Sequence, residues 1–200
     1  MEHQITQYCR IRNQQIHLNG KEIFHGEQTE FLDFIKAAYK EFTGDYPKFY
    51  KMDPLCKLSL VMGSLMLDNI GESLDSNTAL LLSNKSSCID IDREHQKNID
   101  EDGIAGARPG NFVYTLPNIA LGEISIKYSL RSENSFFIFD HFNPSFMIDY
   151  ARIMIDLGKC TSVLGGWLEV NGNSYDGFMF LIEPKEGLAL TEENLLNLYD

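Results

Sequence analysis

Residues 135–141 read Ser-Phe-Phe-Ile-Phe-Asp-His, and this stretch decides both the predicted fold and the predicted site. The apolar run from Phe136 to Phe139 predicts a buried strand that ends abruptly at Asp140 and His141. Asn143-Pro144 follows and predicts a helix start, because Asn can cap a helix and Pro gives up no needed donor there. Open α/β sheets place reactive groups where a strand ends and a helix begins. A catalytic group is therefore expected first at this strand end.

A second stretch, residues 112–118 (FVYTLPN), opens the helix that precedes this strand. Thr115 is expected to cap that helix, with Pro117 and Asn118 in its first turn. Gly122 lowers helix propensity in the middle of the same helix, and a close approach of a neighbouring backbone is its expected reason.

Strand and helix patterns alternate along the rest of the chain. The helix that begins at Asp53-Pro54 is apolar over so much of its girth that it is expected to be buried on more than one side. Such alternation predicts an α/β fold, with a mostly parallel sheet and helices on both faces. The last two strands form an antiparallel hairpin that is expected to add a strand at one edge. The predicted strands are residues 5–12, 78–83, 136–139, 161–170 and 177–183, and Asn19-Gly20 predicts a further short hairpin within residues 16–24.

The composition restricts the classes of function. Two hundred residues fit a single domain, 1–200, and 44% hydrophobic residues can build a sizeable core. A net charge of -12 argues against nucleic-acid binding and against an anionic membrane surface. The longest apolar run is too short to span a bilayer, so no membrane insertion is expected. The polar first residues show no signal pattern, which predicts a cytoplasmic protein.

Metal and cofactor signals are weak. The four cysteines are scattered without a Cys-x-x-Cys pair, so they are expected to be core residues. The acidic run from Asp90 to Asp102 lacks the glycine and the terminal glutamate of an EF-hand and predicts a solvated helix face. Gly165-Gly166 is not part of a nucleotide-binding motif and is expected to let a strand pass close to a neighbouring element. No metal and no cofactor are expected.

Several of these motifs, taken in order, resemble those of the β-ketoacyl synthases, the condensing enzymes of fatty-acid and polyketide synthesis. The resemblance covers the chain from about Asp53 to Glu183 and implies one half of a thiolase-like fold, with a five-stranded mixed sheet covered by helices. The motifs are Asp53-Pro54-Leu55-Cys56-Lys57-Leu58, residues 112–122 with Pro117, Asn118 and Gly122, Gly165-Gly166 with Glu169, and Asp176-Gly177-Phe178 with Glu183.

The chain also departs from that family. Counting from Asn134, His141 falls where those enzymes carry their nucleophilic cysteine, and imidazole is a poor substitute for a thiolate that must hold an acyl chain. The family's catalytic histidines and lysine belong to a second half, and the chain stops at Asp200 before that half would begin. The resemblance therefore implies a catalytically silent subunit, similar to the chain length factors of polyketide and aryl-polyene synthesis.

Such a subunit would pair with an active ketosynthase as a heterodimer, or with itself as a homodimer, and an acyl carrier protein would be a further partner. The strand at Phe136 is expected to pair across the dimer axis, and the Asp53 helix to carry apolar surface for the second half. Residues expected to line a substrate tunnel or the interface are Phe136, Phe137, Ile138, Phe139 and Phe142. Two alternatives stay open: a condensing or acyl-transfer enzyme that uses Asp140 and His141, and an acyl-binding module.

Overall fold

Eight β-strands form one mixed sheet in the computed structural model, which describes residues 2–68, 70–71 and 74–200. The sheet order is β3-β2-β1-β7-β6-β4-β5, and β8 pairs with β1 beside this path. The strands are β1 (Gln4–Arg12), β2 (Gln15–Leu18), β3 (Lys21–His25), β4 (Thr78–Asn84), β5 (Asn134–Ile138), β6 (Ser162–Asn171), β7 (Ser174–Glu183) and β8 (Leu188–Ala189).

Seven α-helices cover the sheet in the described part of the chain. Helices α1, α2 and α5 pack against a large core on one face of the sheet, while α6 and α7 pack around a second cluster on the opposite face. The helices are α1 (Phe31–Phe42), α2 (Pro54–Leu67), α3 (Ile89–Asp102), α4 (Pro109–Tyr114), α5 (Asn118–Tyr128), α6 (Pro144–Asp156) and α7 (Glu192–Tyr199), with 3-10 turns at Pro47–Lys51 and Gly103–Gly106.

The five predicted strands are all present, but their arrangement corrects two expectations. Only β4 is parallel to its neighbours, β5 and β6, and the other pairings are antiparallel, so the prediction of a mostly parallel sheet was wrong. The β6–β7 hairpin lies in the middle of the sheet and not at an edge, because β1 pairs along β7 and extends the sheet through β2 and β3. The short strands β2 and β3 form the hairpin predicted at Asn19-Gly20, and the two-residue β8 is the one strand of the described structure that was not predicted.

Helix α2 begins as predicted. The Asp53 carboxylate accepts from the backbone N–H groups of Leu55, at 3.1 Å, and Cys56, at 3.2 Å, which satisfies two donors of the first turn. Every residue from Leu55 to Leu67 is buried. Helices α1 and α5 and the sheet cover α2 within this chain, so the expectation that this helix offers apolar surface to a second half was wrong.

The structure shows which glycines of α2, α5 and β6 lie close to a neighbouring element. A Cβ at Gly165 would lie 2.5 Å from the Phe180 ring, and one at Gly166 would lie 2.8 Å from the Phe178 carbonyl, which confirms that prediction. Nothing lies within 4 Å of a Cβ at Gly122, so the expectation there was wrong. The tight contact between α2 and α5 is made instead at Gly63 of α2.

Candidate functional site

The carboxyl ends of β4, β5 and β6 point to the same end of the sheet because these strands are parallel. The Asn84 carbonyl, where β4 ends, accepts from the Phe139 N–H at 2.9 Å, so the chain leaves β5 in step with β4. The Asn143 side chain then accepts from the Phe146 N–H at 3.1 Å and caps α6, as predicted. The strand end and the helix start that frame the predicted site are therefore both present.

Asp140 and His141 lie in the bend between β5 and α6, and both side chains are exposed. Among the described residues, neither side chain forms a hydrogen bond or an ion pair with another group. A general base works best when a second group orients its ring, and no such group holds His141 here. The structure thus places both residues at the predicted strand end without joining them into a catalytic pair.

Strand β5 is an edge strand and only half buried, which corrects the expectation of a buried strand. Ile138 is 51% exposed, and β5 is paired with β4 on one side only in the described structure. Its side chains alternate, since Phe136 packs against the core on the α2 and α5 face while Phe137 and Phe139 pack on the α6 face. The structure therefore places β5 at an edge of the sheet, as the resemblance implies.

An aromatic cluster joins β5 to α6. The Phe137 ring centroid lies 4.7 Å from that of Phe146 and 5.2 Å from that of Tyr150, and Phe139 lies 5.0 Å from Phe146. Phe142 is 4% exposed and packs against Phe178, Phe180 and Tyr199, so it belongs to the core. The cluster fixes the position of α6 against the edge strand.

The four thiols offer no substitute nucleophile. Cys9 lies in β1, Cys56 in α2, Cys88 before α3 and Cys160 after α6, and all four are buried and free. Burial raises the pKa of Cys9 to about 12 and that of Cys160 to about 11, and it also raises the pKa of Cys56 and Cys88. A thiol whose pKa is raised by burial supplies little thiolate at neutral pH.

The helix start at residues 112–118 differs from its prediction in one detail. Thr115 does not cap α5, because its hydroxyl donates to the Phe112 carbonyl at 2.7 Å and so closes the end of α4. Pro117 occupies the N-cap position of α5, and Asn118 is its first helical residue. No side chain caps α5, so the motif acts through the backbone geometry of Pro117.

Sequence reasoning missed a cleft of about 410 Å³ at the same end of the sheet. It lies between the start of α2, the first turns of α3, the end of α4 and the β6–β7 turn, and Lys57 is among its lining residues. Lys57 is only 6% exposed, and its ammonium donates to the Met52 carbonyl and lies 5.7 Å from the Phe49 ring centroid. The sequence does contain one indication of this cleft, because Lys57 is the one charged residue within the apolar α2 sequence.

Among the described residues, no group of three or more histidine, cysteine or acidic side chains is placed to hold a metal ion. Every helix in residues 2–68, 70–71 and 74–200 is too short or too polar to cross a bilayer.

No protein-family model and no curated protein matches this chain. Solved structures do. The ishigamide ketosynthase/chain length factor matches with a TM-score of 0.71 and 17% identity, over 94% of this chain and 63% of that chain. The complex of the ketosynthase ApeO with its chain length factor ApeC from Xenorhabdus doucetiae matches with a TM-score of 0.61 and 11% identity, over 100% of this chain and 90% of that chain. The chain has the ketosynthase fold.

A third ketosynthase structure, AntDE with the type II polyketide acyl carrier protein AntF, matches with a TM-score of 0.63 and 14% identity, over 98% of this chain and 64% of that chain. The chain spans less than two thirds of the matched ishigamide chain, but most of the matched Xenorhabdus chain. At these identities the likeness is one of fold. The predicted α/β, thiolase-like half with its mixed sheet is confirmed, with eight strands in place of five.

Proposed function

We propose that the chain is a catalytically silent ketosynthase-like subunit, similar to a chain length factor, that pairs with an active ketosynthase in fatty-acid, polyketide or aryl-polyene synthesis. The observation that carries the proposal is the end of β5. The chain has a ketosynthase fold, but after β5 it carries two exposed, unpaired side chains, Asp140 and His141, and no cysteine lies between β5 and α6. Two of the matched structures contain a chain length factor together with a ketosynthase.

The edge of β5 supports the proposed pairing. An edge strand with a half-exposed apolar row is a template for another strand and is usually covered or blocked by charge. Strand β5 has neither protection, since its residues are Asn-Ser-Phe-Phe-Ile and Ile138 is 51% exposed. A partner strand on this edge would satisfy the free backbone groups and bury Ile138. Pairing with a second copy of this chain is the outcome expected when no ketosynthase is present.

Co-expression with ketosynthases encoded near this chain tests the proposal. The expected result is a stable heterodimer on size-exclusion chromatography, and a change in the product length made by the ketosynthase. Ile138→Lys should weaken co-purification strongly, because it places a charge at the exposed end of the strand that would form the contact. Ile104→Lys is the matched control, since Ile104 is 94% exposed and lies in the Gly103–Gly106 turn.

The pairing is refuted if no ketosynthase co-purifies and the synthase makes normal products alone. It is also refuted if Ile138→Lys and Ile104→Lys behave alike in a complex that does form.

A condensing or acyl-transfer activity of Asp140 and His141 stays a prediction, and the exposed geometry of the two residues does not favour it. Turnover of acyl carrier protein thioesters that is lost in His141→Ala would establish it in place of the silent subunit. Contact with an acyl carrier protein stays part of the proposal, supported by the matched complex that contains one. A cytoplasmic location is supported by four buried cysteines that remain free, as is usual in a reducing compartment.

A further inference from the structure

The cleft beside Lys57 is lined by three acidic residues and two lysines. Each acidic side chain accepts a hydrogen bond from a neutral group of this chain. Asp53 accepts from two backbone N–H groups of α2, Asp90 accepts from the Gly172 N–H at 2.9 Å, and Glu94 accepts from the Asn111 side chain at 3.0 Å.

The two lysines of the cleft, Lys51 and Lys57, have no carboxylate within ion-pair distance among the described residues. Lys57 is 94% removed from solvent, and one carbonyl and one aromatic ring are its partners there. An ammonium has three donors, and a buried charge without an ion pair at contact distance is costly. Burial accordingly lowers the pKa of Lys57, against the opposing effect of the Asp53 charge.

Apolar side chains form one part of the wall around Lys57. Met52 and Ile91 are buried there, Pro54 and Tyr114 line the same space, and Leu32 is 42% exposed at the lining. A volume of about 410 Å³ falls within the range of small-molecule sites, roughly 300–1,000 Å³, which combine apolar walls with a few placed polar groups. The cleft also lies beyond the carboxyl ends of the parallel strands β4 and β6, where α/β sheets often bind ligands.

We propose that this cleft binds a small monocarboxylate with an apolar body, whose carboxylate pairs with the Lys57 ammonium while its apolar part contacts Leu32, Met52, Pro54 and Ile91. The carboxylate would supply an ion pair at contact distance, because the negative charges of Asp53 and Glu94 act on Lys57 only from beyond that distance. The apolar walls would gain the burial of a hydrocarbon body. This site is separate from the β5 edge and does not depend on pairing with a ketosynthase.

Calorimetric titration of the purified chain with n-octanoate tests the proposal, with octan-1-ol as the uncharged probe of similar size. Octanoate should bind at one site and at least about tenfold more tightly than octan-1-ol, since a hydrogen bond to a charged group contributes that much or more. Lys57→Met should remove this preference, because it deletes the charge and keeps most of the side-chain volume. Lys57 has no carboxylate within ion-pair distance among the described residues, so Lys57→Met breaks no buried ion pair and the variant is expected to fold.

Lys127→Met is the matched control. The Lys127 side chain is only 11% exposed, but it lies on α5 beside Asp45 and Asp68, outside the cleft, so octanoate affinity should be unchanged. Leu32→Trp should narrow the cleft and weaken both probes from a position that tolerates change at the surface. The proposal is overturned if octanoate does not bind, if it binds no better than octan-1-ol, or if Lys57→Met binds it as tightly as the natural chain.

If Lys57→Met does not fold, the comparison of the two probes on the natural chain and on Leu32→Trp decides the question. Loss of ketosynthase pairing would leave this result untouched, because the titration uses the chain alone.

Discussion

Several residues that carry the family resemblance hold the sheet and its loops in place. Glu169 of β6 accepts from the backbone N–H groups of Lys85, at 2.9 Å, and Ser86, at 3.1 Å, so its carboxylate ties down the loop that follows β4. Asp176 of β7 accepts from the Arg12 guanidinium and from the Tyr199 hydroxyl, each at 2.5 Å, and joins β1, β7 and α7. Such charge-assisted hydrogen bonds are stronger than neutral ones. These motif residues therefore position the strand ends.

Gly165 has a comparable role in packing, and its replacement gives a direct test. In Gly165→Ala, the new Cβ would fall 2.5 Å from the fully buried Phe180 ring, so overpacking should lower the free energy of unfolding by about 1–3 kcal/mol. Gly122→Ala is the matched control, because nothing lies within 4 Å of its Cβ and alanine is favoured in a helix by about 1 kcal/mol. Urea unfolding measures both, and equal effects of the two variants would contradict the assigned close approach.

At the scale of elements, local signals were enough to find most helices and strands. The starts of α2 and α6 were predictable because an Asp-Pro or Asn-Pro pair carries its own capping chemistry. The polar α3 and the apolar β4 were predictable from composition and run length. The cap of α5 was not, because the Thr115 hydroxyl can close the preceding helix as easily as it can open the next one, and only the backbone path decides between them.

The cap of α2 gives the second prediction. Asp53→Ala should lower the free energy of unfolding by about 2 kcal/mol, because it leaves two N–H groups in a buried first turn without an acceptor. Asp53→Asn should retain more than half of that stability, since asparagine also caps helices well. Thermal or urea unfolding of the two variants measures the difference. An Asn variant as unstable as the Ala variant would show that the charge beside Lys57 matters more than the cap.

At the scale of the whole molecule, the arrangement of elements was harder to predict than their existence. The position of the β6–β7 hairpin depends on the pairing of β1 with β7, between residues more than 160 positions apart, and no local pattern encodes that choice. The cleft beside Lys57 escaped prediction for the same reason, because its lining comes from α1, α2, α3, α4 and the β6–β7 turn. Asp140 and His141 were correctly placed at the strand end, but their exposure depends on how the loops around them pack.

The two ends of the sheet give the last prediction, which concerns the complete assembly. Strand β5 forms one edge with a half-exposed apolar row, whereas β3 forms the other with the residues Lys-Glu-Ile-Phe-His. Charged residues at an edge discourage strand pairing, so the two edges differ in what they can accept.

Hydrogen exchange read by mass spectrometry can therefore compare the chain alone with the chain in complex with a ketosynthase. Peptides that contain residues 134–138 should exchange more slowly in the complex, because a partner strand would supply acceptors for their free N–H groups. Peptides from residues 21–25 should exchange at the same rate in both states. Protection at β3 alone would place the partner on the opposite edge, and complex formation without protection at either edge would show that pairing does not extend the sheet.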